Sequence, residues 1–210
     1  MTIATLKKVL EYAIKKNVGV IGFVVHGWED ARAFVQAGTE TNTPIILQAG
    51  PGCRSHTPLS VLGKMFRVLA EESKQDVVLH LDHATDLKTC QTALDEGFTS
   101  VMFDSAGLDL SANIKITQKV YKLLEPYKAS LEAEIGYVGY CDADRNTETN
   151  PAEVKQFLSE VKIDALAVSV GNTHLQEKLN AEIKYSKLKK INGTTKMPLV
   201  VHGASGISKT

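Results

Sequence analysis

The sequence carries no excess charge of either sign: Lys plus Arg and Asp plus Glu number 24 each in 210 residues. A balance of that kind removes the electrostatic case for nucleic acid or an anionic membrane surface. Cysteine is scarce as well. Cys53, Cys90 and Cys141 are odd in number, widely spaced and without a CxxC pair, which argues against a disulfide framework or zinc knuckle and fits a reducing, cytoplasmic setting. No apolar run approaches the length of a membrane span, and Met1–Leu10 lacks a signal-peptide core. Repeats, low-complexity tracts and interdomain linkers are missing, as is the Gly-rich dinucleotide fingerprint of a Rossmann half. The lysines at 7–8, 15–16 and 187–190 read as solvated helix faces.

What is present is alternation. Apolar strand patterns fall at Val18–Val25, Pro44–Ala49, Val77–Ala84, Thr99–Phe103, Ser130–Ile135, Ala165–Val170 and Pro198–Val201. Between them the periodicity predicts helices over Thr5–Lys16, Trp28–Ala37, Leu59–Glu72, Leu87–Glu96, Leu110–Leu124, Pro151–Val161 and Ile183–Ile191. Val18–Val25 is nearly continuous in apolar residues, the pattern of a strand covered on both faces. Gly50-Pro51-Gly52 reads as a break. Parallel β/α units follow from the alternation, and seven in succession favour a single (β/α)8 TIM barrel over residues 1–210. Its eighth β/α unit is absent from these residues, the expectation for a truncated or incompletely observed chain.

Reactive side chains sit where the strands end. Asp82 and His83 close the third strand, Asp104 the fourth, and Glu134 lies late on the fifth, on the same face as Glu132. His174 follows the sixth strand and His202 ends the seventh. In a barrel such ends converge on one mouth. Three imidazoles with several carboxylates suit a divalent transition metal, zinc foremost, with an open coordination position. The plainer reading makes Asp82 the cap of the next helix and His83 a polar turn residue. His80 reads as a core histidine, and His26 and His56 as surface ones. Gly203-Ala204-Ser205-Gly206 forms a strand-to-helix turn whose backbone N–H groups and Ser205 hydroxyl can hold a phosphate.

LDHA at 81–84, SLEAEIGYVG at 130–139, DALAVSVGNTH at 164–174 and PLVVHGASGIS at 198–208 together resemble the class II, metal-dependent ketose-bisphosphate aldolases, including fructose- and tagatose-bisphosphate aldolases. The resemblance runs through essentially the whole chain. It implies a lyase of carbohydrate metabolism and glycolysis that cleaves a ketose (bis)phosphate reversibly to dihydroxyacetone phosphate and an aldehyde. It further implies that His83, His174 and His202 are the ligands of Zn2+ or another divalent metal, and it admits a monovalent cation. Asp82 would be the proton donor and acceptor. Glu134 and Asp104 match carboxylates of alternative metal positions, and Gly203, Ala204 and Ser205, with Leu175, match substrate contacts. A further acid/base would sit on the lid after the fifth strand, Tyr137–Asn150, where Asp142 is the nearest carboxylate. A homodimer or larger assembly is implied too.

Departures from the family pattern fall on substrate positions. Phe23–His26 lacks the usual Asn, Gln48-Ala49-Gly50 lacks a Ser, and Leu175 stands where Gly is usual. Two other readings compete: a metal-binding relative without catalysis, and a metal-dependent hydrolase on the same barrel. The hydrolase would need an early HxH pair, and His80-Leu81-Asp82-His83 has the wrong spacing.

Overall fold

The computed structural model describes residues 2–139, 147–175 and 183–207. They fall into two compact units, residues 1–103 with 120–131 and residues 104–119 with 132–210.

The first unit begins with a two-residue strand, β1 (Ile3–Ala4), that the sequence pattern did not announce. Helix α1 (Leu6–Lys16) follows, opened by Thr5, whose hydroxyl accepts the Lys8 N–H at 3.3 Å. Asn17 closes it at φ 54°, the left-handed cap that Asn tolerates. Strand β2 (Gly22–Val24) and helix α2 (Trp28–Thr41) come next, then β3 (Ile45–Ala49). Helices α3 (Pro51–His56) and α4 (Leu59–Glu72) precede β4 (Val77–Ala84). Helix α5 (Leu87–Asp95) and β5 (Ser100–Phe103) complete the alternation.

All pairings are parallel. The strands run in the order β2-β3-β4-β5, and β1 pairs with the first residues of β4. Every residue of β4 is buried, as a strand covered on both faces requires.

Two expectations are corrected here. Val18–Val25 is not a covered strand: only Gly22–Val24 pairs, and Val18, Ile21 and Val24 are 52%, 64% and 43% exposed. The described residues pair β2 with β3 alone, so the apolar run lies along an edge. The Gly50-Pro51-Gly52 break is instead the start of α3, because Pro51 occupies the first turn, where its missing N–H costs nothing.

The second unit holds most of β6 (Ser130–Ile135), helix α7 (Pro151–Glu160), β7 (Ala165–Val168), helix α8 (Tyr185–Asn192) and β8 (Leu199–Val200). Helix α6 (Leu110–Leu124) contributes its first ten residues to this unit. The strands β6-β7-β8 are again parallel. Asn150 caps α7 by accepting the Ala152 N–H at 3.0 Å, with Pro151 in the first turn as expected. Parallel strands separated by helices make this an α/β fold. No helix among the described residues is long and apolar enough to cross a membrane.

The packing of α4 on the end of α5 gives a direct test. A Cβ added at Gly63 would meet the Glu96 carbonyl at 2.5 Å, whereas one added at Gly52 meets nothing within 4 Å. Urea denaturation should show Gly63→Ala destabilised by about 1–3 kcal/mol. Gly52→Ala should be neutral or stabilised by up to ~1 kcal/mol. Equal behaviour of the two variants would contradict this packing.

Candidate active site

In the first unit the chemistry gathers on the last turn of β4. Asp82 and His83 are 4% and 8% exposed. The helix cap after this strand is Asp86, whose carboxylate accepts the Thr89 N–H at 2.8 Å. The plain reading of Asp82 as that cap is therefore set aside. Gln48 is level with His80 across the β3–β4 ladder, two residues before Asp82, and so shares its face. Its amide nitrogen lies 3.5 Å from Asp82 Oδ1. Gly50 stands on the other side, where a Cβ would reach within 3.5 Å of Asp82 Oδ2. His80 is a core residue, 1% exposed, with Nδ1 2.8 Å from the Ser100 hydroxyl. His26 and His56 are exposed, as expected.

His83 has φ 49°, in the left-handed region. The β4–β5 register shifts at the same place, from Leu81↔Val101 to Ala84↔Phe103, so β4 spends one extra residue there. Arg54 on α3 reaches this bulge. Its guanidinium donates to the carbonyls of Ala49 (2.6 Å), Asp82 and His83 (3.1 Å). Burial pushes the guanidinium below its ordinary value, and the nearby Asp82 carboxylate pulls it back up. Cys53 and Cys90 are free and buried; burial, reinforced by Asp86, drives the Cys90 thiol up to about 12. Such a thiol stays protonated and inert.

The second unit brings two of the sequence-predicted histidines together. His174 and His202 have ring centroids 5.8 Å apart and ring nitrogens within 4.8 Å. Gly203 makes this approach feasible. At φ 67° it passes so close to Thr173 that a Cβ would lie 2.1 Å from its carbonyl oxygen, so only glycine fits. Asn172, fully buried, ties the same turn by donating to the His202 carbonyl at 2.9 Å and accepting the Val170 N–H at 2.7 Å.

Glu132 is the residue that sequence reasoning left without a role. It is 2% exposed, and its Oε1 accepts from His202 Nε2 at 2.9 Å. With Nε2–H directed at the carboxylate, Nδ1 carries the lone pair, the atom a metal takes. The alternation that set Glu132 and Glu134 on one face was the signal for it. Their strand neighbours on β7 are Ala165 and Ala167, whose small side chains leave room for carboxylates.

Glu134 is 1% exposed and accepts the Val138 N–H at 2.9 Å. An Asp104 carboxylate oxygen lies within 4.8 Å of one of Glu134. Asn113 of α6 donates to the Glu134 carbonyl at 3.0 Å while accepting from Ser105 and Thr117. Ala204 and Ser205 are exposed in a single 3-10 turn (Ala204–Gly206), and Leu175 is exposed at φ 51°. Asp142 and the middle of the expected lid, residues 140–146, lie outside the described residues.

Paired imidazoles, one backed by a carboxylate, with the buried Glu134 and half-buried Asp104 carboxylates in the same unit, are a donor set that a divalent metal fits. The fold is thus α/β, and its second unit carries a donor set suited to a divalent metal. The family model of class-II fructose-bisphosphate aldolase matches residues 4–210. The fructose-bisphosphate aldolase of Giardia intestinalis is 32% identical over 217 residues, covering 100% of this chain and 67% of the relative. That of Helicobacter pylori strain J99 is 32% identical over 209 residues, covering 95% and 68%. Among solved structures, the YdjI aldolase from Escherichia coli K12 aligns with a TM-score of 0.88 at 27% identity, over 98% of this chain and 74% of that one. The chain belongs to the class II fructose-bisphosphate aldolase family. It is a metal-dependent aldolase, a carbon–carbon lyase.

Asn113→Ala tests the support under Glu134. It strips a donor from a buried carbonyl and an acceptor from two buried hydroxyls, so stability should fall by about 1–3 kcal/mol in denaturant titration. An unchanged midpoint would mean that the network is not formed.

Proposed function

We propose that this lyase cleaves a ketose phosphate or bisphosphate reversibly to dihydroxyacetone phosphate and an aldehyde, on a (β/α)8-type barrel. By the family's ligand pattern, His83, His174 and His202 would hold a divalent metal, zinc by its donor set. When bound, it supplies Lewis-acid stabilisation of the negative charge that bond cleavage leaves on the ketone half. The observation that carries the reading is the His202–Glu132 contact, which orients one imidazole of the close pair with His174.

The chain's own groups do the rest. Asp82 takes the proton from the substrate hydroxyl in cleavage and returns it in condensation. Its carboxylate is buried, with the Gln48 amide at 3.5 Å and Gly50 beside it. Glu134 and Asp104 offer a second pair of carboxylates for an alternative metal position. Gly203, Ala204 and Ser205 form the turn that takes the substrate phosphate, with Leu175 lining it. Exposure of Ala204 and Ser205 supports this, because a phosphate grip must face solvent before substrate arrives. Asp142 is the candidate for the second proton transfer.

Asp82→Asn separates the roles. It keeps shape and removes the proton acceptor, so metal content should stay at the wild-type level. Turnover, read as dihydroxyacetone phosphate release, should fall by about 10²–10⁴-fold. His202→Ala should lose metal affinity and activity together. Metal loss in Asp82→Asn would make Asp82 a ligand, and full activity would move the proton transfer to another group.

A further inference from the structure

The bulge at Asp82–His83 is costly to hold. A non-glycine residue is sterically disfavoured in the left-handed region, and His83 sits there at φ 49°. Backbone of this kind persists where its surroundings over-determine it, and such places cluster at functional sites. Arg54 is one group that does so here. It comes from a different element, α3, 28 and 29 residues earlier in the chain than the carbonyls it meets. Nη1 bonds the Ala49 carbonyl at the end of β3 and the Asp82 carbonyl, and Nη2 bonds the His83 carbonyl. One planar fork thus joins the ends of two adjacent strands across the bulge.

We infer that Arg54 is a positioning residue of the lyase: its guanidinium fixes the bulged main chain of Asp82 and His83, and so aims the side chains that move the proton and bind the metal. This rests on the roles proposed above for Asp82 and His83. The three carbonyls demand several donors in one plane, which guanidinium has and an ammonium lacks. Because the bonds go to main-chain oxygens, Arg54 acts on direction rather than on ligand chemistry. A rotation of the Asp82–His83 peptide would swing both side chains away together.

The test is titration of the metal-free protein with Co2+, followed spectroscopically, alongside retro-aldol kinetics and a thermal melt. Arg54→Ala should remain folded, bind Co2+ about 10–100-fold more weakly, and lose kcat more than KM. Arg54→Lys should remain weak for want of the fork. Methylguanidinium, added far below denaturing concentration, should restore part of the Co2+ affinity of Arg54→Ala. A folded Arg54→Ala protein with wild-type affinity and kcat overturns the inference, even if its melting temperature drops. If Arg54→Ala does not fold, Arg54→Lys decides, and wild-type affinity there overturns it equally. His83→Ala, measured in parallel, separates the two levels. Wild-type affinity in His83→Ala defeats the ligand assignment and this inference with it. Weakened affinity there, with wild-type affinity in the Arg54 variants, defeats this inference alone.

Discussion

A carboxylate as buried as that of Glu132 needs a hydrogen-bond donor, because desolvating it without one would cost several kcal/mol. The His202 imidazole is such a donor, at 2.9 Å, and much of the second unit follows from that contact. It requires β8 to deliver His202 two residues beyond Val200, its last paired residue. It requires small neighbours beside the carboxylate, and Ala165 stands level with Glu132 on β7. It also requires the chain to turn at once after His202, which Gly203 does against the Thr173 carbonyl. The same turn carries His174 to the side of His202. The ring atom turned away from Glu132 then becomes the natural metal ligand.

The first unit solves a related problem with the opposite charge. Main-chain carbonyls at the end of β4 are bent out of regular register by the bulge, and Arg54 supplies donors to two of them and to the end of β3. Asp82 and His83 are therefore held through their backbone, while His202 is held through its ring and, by Asn172, through its carbonyl. In both units the groups assigned to chemistry are gripped by polar residues with no direct part in it. Such outer contacts commonly set how well a metal site performs.

The sequence made some of this legible for clear reasons. Val77–Ala84 reads as a strand because it opens on a short apolar run with β-branched residues between polar flanks, and the helices at Leu59–Glu72 and Leu110–Leu124 show their period over several turns. The strand-end residues stood out because Asp and His interrupt apolar patterns. The remainder depended on neighbours. Val18–Val25 has the composition of a covered strand, yet its exposure is decided by what pairs beside it. Asp82 and Asp86 are equally plausible caps by type, and only backbone geometry gives the role to Asp86. Arg54 gave no signal at all: it follows a Gly-Pro-Gly segment, and its partners are distant in the chain. Glu132 was half visible, placed on the right face by alternation but without a partner until β8 was located.

The central claim is that His83 joins His174 and His202 on one metal. Anomalous scattering at the zinc edge from a crystal of the zinc-loaded protein tests it most directly. The account predicts a single strong peak with three imidazole nitrogens at about 2.0–2.1 Å, His202 binding through Nδ1 while Nε2 keeps its contact with Glu132. A peak lacking His83, or a His202 that binds through Nε2 with Glu132 displaced, would contradict it.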